Sequence, residues 1–135
     1  MGVWGAGNFD GDRPRDFLAD TVGRWEKMVE KLIAGELPDE AAALEFYPGL
    51  DACEACLMPT VELLIVVAEK LDPDYLPAVE TVERWRSQYL SLFDREIGSW
   101  DASPEFEAER RSIIDATFGR LLTIVRSRSD DKPIA

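Results

Sequence analysis

The chain has 135 residues, of which 46% are hydrophobic and 31% charged, a composition typical of one soluble globular domain. Its formal net charge is −12, with 27 acidic against 15 basic residues and no histidine. Nucleic acids and anionic membrane surfaces require clustered Lys and Arg, so this balance argues against both as partners. No apolar run reaches the roughly 18 residues of a membrane span, and no signal-peptide pattern is visible, so we expect a cytoplasmic protein.

The first dozen residues differ from the rest because they hold four of the nine glycines and two large aromatic side chains. Glycine admits backbone conformations with positive φ, so we expect an irregular but structured loop over residues 1–12. Burying a large aromatic side chain contributes about 1.5–3 kcal/mol, so Trp4 and Phe9 are predicted to insert into the core. Asp12 is the predicted N-cap of the first helix.

Two other interpretations of this loop arise from its acidic residues. A phosphate-binding loop needs backbone amides and a basic residue, and the carboxylates of Asp10 and Asp12 argue against it. A hard cation prefers oxygen ligands, which these two residues and Asp16 offer, but Arg15 stands where a calcium loop needs glycine. We therefore predict a structural loop without a metal, and a metal site at Asp10 and Asp12 is the alternative.

The opening of the chain also resembles that of a known family. Small bacterial proteins of the domain of unknown function 4259 family begin with a Trp-Gly-x-Gly-x-Phe-Asp-Asn-Asp run followed by an amphipathic helix. The similar residues here are Trp4, Gly5, Gly7, Phe9, Asp10 and Asp12, with Gly11 in place of the usual Asn. The acidic and apolar stretch at 51–71 and the total length also fit the family layout. The resemblance implies a fold but no catalytic residues, because the family has no assigned activity.

Apolar residues recur at spacings of three and four along most of the remaining chain, which predicts helices. The predicted segments are 13–34, which Gly35 ends, 38–46, then a turn at 47–49, 51–71 with Asp51 as N-cap, about 76–97, and a last helix with Ser103 as N-cap and a frayed tail over 128–135. Phe106 and Ile113 of the last helix are predicted to face the core, and Trp100 in the loop before it to cover a helix end. The run Val61–Ala68 is nearly apolar all round, which is typical of a helix buried on most sides. A buried strand is the alternative there, but the length of the pattern and the lack of partner strands favour a helix. Pro59 must either kink this helix or mark its start.

Cys53 and Cys56 are the only cysteines and stand three residues apart on the third predicted helix. A Cys-x-x-Cys pair supplies half of a zinc site, and the chain has no histidine to complete it. A thioredoxin-like site would need a βαβ setting, which the pattern does not show. We predict two reduced, largely buried thiols, with no zinc and no disulfide.

The acidic residues are distributed unevenly along the chain. Residues 1–83 hold 18 acids and 6 bases, whereas residues 84–135 hold 9 of each. Between Leu32 and Glu69 there are eight acids and no Lys or Arg. This pattern predicts an acidic face for a basic protein partner, although a merely solubilising surface is the simpler interpretation. The residues predicted to form this face are Glu36, Asp39, Glu40, Glu45, Asp51 and Glu54.

The predicted fold is all-α, with about five helices around the apolar third helix and the glycine-rich loop packed into the core of a single domain, residues 1–135. No catalytic constellation is visible, and the absence of histidine removes the commonest catalytic base. We expect a non-enzymatic, cofactor-free protein-binding module, immunity- or inhibitor-like against a basic protein. The alternative is a carboxylate-based metal protein or enzyme that uses Asp10 and Asp12, or Glu54 and Glu62. The sequence does not indicate an oligomeric state.

Overall fold

A computed structural model describes residues 4–130 of the chain, and within this range the protein is all-α with no β-strand. The helices are α1 (Asp12–Ile33), α2 (Asp39–Ala42), α3 (Leu50–Ala52), α4 (Met58–Leu71), α5 (Val79–Glu96) and α6 (Pro104–Asp130). A π-helical turn, Cys53–Leu57, joins α3 to α4, and a 3₁₀ turn, Ile97–Trp100, follows α5. No helix in the described range is long and apolar enough to cross a membrane.

The four long helices form a bundle in which each packs against two others. Helix α4 lies between α1 and α6, and α5 closes the ring by packing against α6 and α1. Glu54 contacts Arg110 and Glu69 contacts Arg120, so the stretch from α3 to α4 runs parallel to α6. The largest fully buried side chains come from α5 and α6 and are Trp85, Tyr89, Phe93 and Phe118.

Helix α4 is not enclosed by the others, in contrast to the prediction of a central helix buried on most sides. Val61, Leu64 and Ile65 are fully buried, but Leu63 and Val66 are 48% and 45% exposed. Apolar composition alone does not distinguish a helix surrounded by neighbours from one that keeps an uncovered stripe. The shared core lies between all four long helices rather than around α4.

The π-helical turn resolves the question that Pro59 raised, because the helical path continues from Leu50 to Leu71 without a break. In a regular α-helix Pro59 would have no N–H for the Ala55 carbonyl, and its ring would clash there. The wider π-helical turn ends just before this proline and accommodates it. The Thr60 hydroxyl donates to the Cys56 carbonyl at 2.6 Å, which satisfies another acceptor in the same region.

The N-terminal loop is closed by its own aspartate. The carboxylate of Asp10 accepts the amide of Gly7 at 2.8 Å, and the amide of Trp4 donates to the Asp10 carbonyl at 3.0 Å. A Cβ on Gly5 or Gly7 would lie 2.7 or 2.6 Å from Asp10 Oδ2. These two glycines leave room for the close approach of the carboxylate, and neither uses positive φ.

The predicted insertion of this loop into the core is wrong for Trp4, whose side chain is 59% exposed, while Phe9 is only partly buried. The described hydrogen bonds of this loop all involve Asp10. The loop therefore closes without inserting the Trp4 side chain between the helices. Asp12 is likewise not the N-cap. Gly11 holds that position without a side-chain bond, and Asp12 is the first residue of α1, where a carboxylate favours the positive end of the helix dipole.

The helix ends agree with the sequence signals at Gly35 and Ser103 and differ from the prediction for the second helix. Gly35 has a φ of 84° and ends α1 as predicted, with the amide of Glu36 bonded to the Lys31 carbonyl at 2.9 Å. The second helix is shorter than the predicted 38–46, because Glu45 adopts a φ of 62° and reverses the chain after Ala42. The predicted N-cap Ser103 is confirmed, since its hydroxyl accepts the amide of Phe106 at 3.2 Å. Helix α6 extends to Asp130, which includes the start of the predicted tail, and residues 131–135 lie outside the described range.

Candidate functional site

The eight acids between Leu32 and Glu69 fall into two groups in space. Three of them, Glu54, Glu62 and Glu69, contact arginines of α6. Four others are exposed and form no ion pair among residues 4–130. These four are Glu36, Asp39, Glu40 and Glu45. The remaining acid, Asp51, accepts the backbone amide of Tyr47 at 2.8 Å instead of capping a helix.

Glu54 stands in the π-helical turn and is bound by two side chains. Arg110 donates from Nε and Nη2 to its two oxygens at 2.6 and 2.9 Å, and the Tyr89 hydroxyl donates to Oε2 at 2.8 Å. The Glu54 side chain is only 12% exposed. Burial, reinforced by the Glu54 charge, raises the pKa of Tyr89 above its usual range, so the phenol keeps its proton. Glu54 therefore joins the π-helical turn to α5 and α6 and does not contribute to an exposed acidic face.

Glu62 and Glu69 lie further along α4 and share one arginine. Arg120 Nη1 lies 3.4 Å from Glu62 and its Nη2 lies 3.6 Å from Glu69. All three side chains are about half exposed, so each contact is a surface ion pair worth at most about 1 kcal/mol. The catalytic alternative for Glu54 and Glu62 finds no support in this arrangement, because Glu54 is fully engaged and Glu62 is open to solvent.

The exposed acids are concentrated in residues 36–47, which we name the acidic segment. Two large apolar side chains protrude among them, Leu44 with 65% and Tyr47 with 77% exposure. Neighbouring exposed apolar groups with a polar rim often mark a surface that binds another protein, and aromatic residues such as Tyr are enriched in such interfaces. The acidic segment is therefore the candidate functional site.

Two buried residues and one carboxylate hold the acidic segment against the bundle. Ala41 and Leu50 are 0% and 2% exposed, which fixes both ends of the turn that carries Leu44 and Tyr47. Glu96 at the end of α5 accepts the Leu50 amide at 3.1 Å. Gly49 has a φ of 92°, and a Cβ there would lie 2.7 Å from Glu96 Oε1. A side chain at position 49 is thus disfavoured both by conformation and by space.

The contact of Glu96 with Gly49 and Leu50 also brings a second stretch to this end of the bundle. The 3₁₀ turn after α5 carries Trp100, which is 42% exposed, and Asp101 follows it. The sequence predicts that Trp100 covers a helix end. A tryptophan in a short break between two helices does not reveal which residues lie beside it.

The N-terminal acids and the cysteines offer no second site. Among residues 4–130, no group of three Cys, Asp or Glu side chains is arranged to hold a metal ion, which leaves the metal alternative at Asp10 and Asp12 without geometric support. Cys53 is fully buried with its Sγ 3.5 Å from the Leu32 carbonyl, whereas Cys56 is partly exposed. Burial raises the pKa of the Cys53 thiol to about 12, so it carries no thiolate at neutral pH.

Comparison of the chain with family models, with curated proteins and with solved structures finds no match in any of the three. The resemblance of the opening residues to the domain of unknown function 4259 family therefore stays a prediction. The geometry of the loop gives that pattern a physical reason, because Gly5 and Gly7 leave the space into which the Asp10 carboxylate fits. That reason concerns the shape of the loop and assigns no activity to it.

Proposed function

We propose that the chain is a non-enzymatic protein-binding module that uses the acidic segment to bind a basic surface of another protein. The observation that carries the proposal is the set of exposed carboxylates at Glu36, Asp39, Glu40 and Glu45, none of them in an ion pair within the described chain, around the protruding Leu44 and Tyr47. Three of the other four acids in the same stretch contact arginines of α6, and the fourth, Asp51, accepts a backbone amide. The segment thus gathers four unpaired carboxylates within ten residues that contain no Lys or Arg, while other exposed acids without an ion pair in the described chain, such as Asp16 and Glu80, lie elsewhere.

The two kinds of side chain would serve different steps of binding. Carboxylates of one sign attract a basic partner over about one screening length, roughly 10 Å at 0.1 M salt, and so speed the encounter. Tyr47 and Leu44 supply apolar area that is desolvated once contact is made, and aromatic residues of this kind dominate interface energies. An immunity- or inhibitor-like role fits this division, because a small acidic module can cover a functional basic surface of a toxin or enzyme.

The test is a charge reversal within the segment, Asp39→Lys with Glu40→Lys and Glu45→Lys. A partner is first captured on the wild-type chain from native lysate at about 0.05 M salt, purified, and its association kinetics are measured. We expect the reversal to slow association at least about tenfold and to flatten its salt dependence. Tyr47→Ala should instead mainly accelerate dissociation, because it removes contact area and not charge.

The matched control reverses three exposed acids away from the segment that form no ion pair in the described chain, Asp16→Lys with Glu80→Lys and Glu109→Lys. This variant changes the net charge by the same amount, so any effect of total charge is shared. Circular dichroism must show that both variants are folded. Equal loss of association rate in both variants, or binding that does not respond to ionic strength between about 0.05 and 0.5 M, would show that the acidic segment is only a solvated surface.

A further inference from the structure

The turn that carries Tyr47 is held at its backbone, while the aromatic ring stays in solvent. The amide of Tyr47 donates to Asp51 Oδ2 at 2.8 Å, and its carbonyl accepts the amide of Ala52 at 3.0 Å. The Gly49 carbonyl accepts the amide of Cys53 at 3.0 Å in the same turn. Tyr47 is nevertheless 77% exposed. The turn therefore fixes the backbone of Tyr47 and leaves only the two side-chain torsions of the ring to be ordered.

Residues on both sides of Tyr47 anchor this turn to the bundle. Phe46 is partly buried against the core, and Leu50 is 2% exposed. The amide of Leu50 also donates to Glu96 at the end of α5, at 3.1 Å. Between these anchors Tyr47 and Pro48 are both exposed, and the ring of Pro48 restricts its backbone dihedral φ. The pair is thus a protrusion with a fixed backbone at the C-terminal end of the acidic segment.

Asp51 differs from the four exposed acids of the acidic segment in how its carboxylate is used. Those four form no ion pair in the described chain, and their side chains lie in solvent. Asp51 is only partly exposed, and its carboxylate accepts the Tyr47 amide. The sequence analysis counted Asp51 among the charges of the acidic face, whereas the structure shows it holding the turn that carries Tyr47.

The exposure of Tyr47 indicates the shape of surface that can desolvate it. A flat surface covers one side of a protruding ring, whereas a depression surrounds it. The residues that dominate an interface lie in fully desolvated pockets, and Tyr is enriched among them. Glu40 and Glu45 precede Tyr47 by seven and two residues and carry charges that a basic rim would neutralise. A pocket bordered by Lys or Arg side chains therefore complements this end of the segment.

We propose that Tyr47 is a preformed anchor that enters such a pocket on the basic partner, and that Asp51 is its positioning residue and not a charge of the binding face. This inference rests on the proposed function, since it takes the acidic segment as the binding site. A backbone that is fixed before binding reduces the conformational entropy that the complex must remove. Loss of the Asp51 acceptor frees the turn and shortens the lifetime of the complex.

The experiment compares two variants of equal net charge. Asp51→Ala removes the acceptor of the Tyr47 amide, whereas Asp51→Asn removes the charge and keeps a side-chain oxygen. Hydrogen exchange of the Tyr47 amide, followed by NMR, needs no partner. Exchange in the wild type and in Asp51→Asn should be at least about tenfold slower than in Asp51→Ala, while the Leu50 amide, bound by Glu96, serves as the internal control. Equally fast exchange of the Tyr47 amide in the wild type and Asp51→Ala would overturn the preformed anchor.

The second readout uses the partner protein purified for the charge-reversal test. Asp51→Ala should dissociate at least about fivefold faster than Asp51→Asn, and the two should associate at the same rate because their charges are equal. Combined with Tyr47→Ala, the two substitutions should give equal dissociation rates, because no ring remains to be positioned. A role of Asp51 in folding alone would give the same difference with and without the Tyr47 ring.

The pocket is tested with 3-fluorotyrosine, which labels Tyr47, Tyr75 and Tyr89. The fluorine signal of a ring in solvent shifts between H₂O and D₂O, and the signal of a buried ring does not. In the free protein Tyr47 should shift, and Tyr89, with 0% exposure, should not. In the complex the shift of Tyr47 should disappear, with that of Tyr75 as reference. A shift of Tyr47 that persists in the complex would show that the ring lies on a flat surface and would contradict the proposal.

The outcomes distinguish this inference from the proposed function. If the charge reversal and Tyr47→Ala change the kinetics as expected but Asp51→Ala and Asp51→Asn behave alike, the positioning role is wrong and the proposed function stands. The same holds if the difference between the two Asp51 variants persists without the Tyr47 ring. If neither the charge reversal nor Tyr47→Ala alters binding, the proposed function fails and the anchor fails with it.

Discussion

The two groups of carboxylates in the stretch from Leu32 to Glu69 have the same sequence context and opposite surroundings in the fold. Glu54, Glu62 and Glu69 lie against α6, whose Arg110 and Arg120 approach them from more than fifty residues away in the chain. The four exposed acids of the acidic segment form no ion pair among the described residues. A stretch without Lys or Arg is thus repulsive only where no arginine of another helix approaches its carboxylates.

The first prediction concerns Glu54, the most buried of the three carboxylates that contact arginines of α6. Glu54→Ala removes the carboxylate that Arg110 and Tyr89 both bind, and leaves a guanidinium with only 24% exposure without its partner. We expect a loss of about 3 kcal/mol in the free energy of unfolding, the lower end for breaking a buried ion pair. Urea denaturation of both proteins, followed by circular dichroism, measures the difference.

Two matched variants show whether burial decides this effect. Glu62→Ala also loses an arginine contact of α4 with α6, but an exposed one, and should cost below about 1 kcal/mol. Glu45→Ala removes an acid with no ion pair in the described chain and serves as the second control, although alanine is less suited to its positive φ. If Glu54→Ala were no more destabilising than Glu62→Ala, the Glu54 cluster would not be the anchor that its geometry indicates.

The second prediction concerns alkaline pH and the same cluster. Burial raises the pKa of Tyr89 and raises that of Cys53 to about 12, whereas the unfolded groups ionise at about 10 and about 8.5. The folded state therefore holds these protons after the unfolded chain has lost them. Their contribution to stability is fully present below about pH 8.5 and declines as pH rises beyond each unfolded pKa, by up to about 1.4 kcal/mol per pH unit and group.

The variant Tyr89→Phe shows how much of the loss of stability at alkaline pH comes from ionisation of Tyr89. At neutral pH the variant should lose about 1–2 kcal/mol because the Glu54 oxygen loses its donor, and above about pH 10 the gap to the wild type should narrow. Tyr47→Phe, at a 77% exposed side chain, should run parallel to the wild type throughout. Denaturant titrations from pH 7 to pH 11 provide the measurement, and a gap that stays constant for Tyr89→Phe would contradict the assignment.

Much of the fold follows from local sequence signals, and the misplaced parts depend on contacts between distant residues. Apolar spacing predicted the all-α class. Gly35 predicted the end of α1, and Ser103 predicted the N-cap of α6. Periodicity also assigned Phe106 and Ile113 to the core, but they are 45% and 47% exposed, because a helical stripe shows which side is apolar but not whether a neighbour covers it. The size of Trp4 predicted its burial in the core, but the loop is closed by the Asp10 carboxylate and Trp4 is exposed.

The candidate site was predicted in part. The charge count located Glu36, Asp39, Glu40 and Glu45, whose exposure in the fold agrees with a surface role. The same count also included Glu54, because the sequence around Glu54 does not show that Arg110 packs against it in the fold. Tyr47 was read only as part of a turn, because a Tyr-Pro-Gly sequence indicates a reversal of the chain but not the direction of the aromatic side chain.

The smallest expected change in stability concerns the acidic segment, whose exposed acids form no ion pair among the described residues. Glu36 lies just beyond the C-terminal end of α1, where the helix dipole is negative, and Glu45 adds to the same local charge. Glu36→Gln with Glu45→Gln should therefore raise the free energy of unfolding by about 0.3–0.5 kcal/mol at low ionic strength, and this gain should vanish near 1 M salt, where the screening length is about 3 Å. Glu62→Gln with Glu69→Gln removes the same number of charges from the paired group and should shift stability the other way, because Arg120 loses both partners. Thermal melts at about 0.02 and 1 M salt compare the two double variants. A shift of the same sign and size in both would mean that net charge, and not the arrangement of the arginines on α6, governs the electrostatics of this surface.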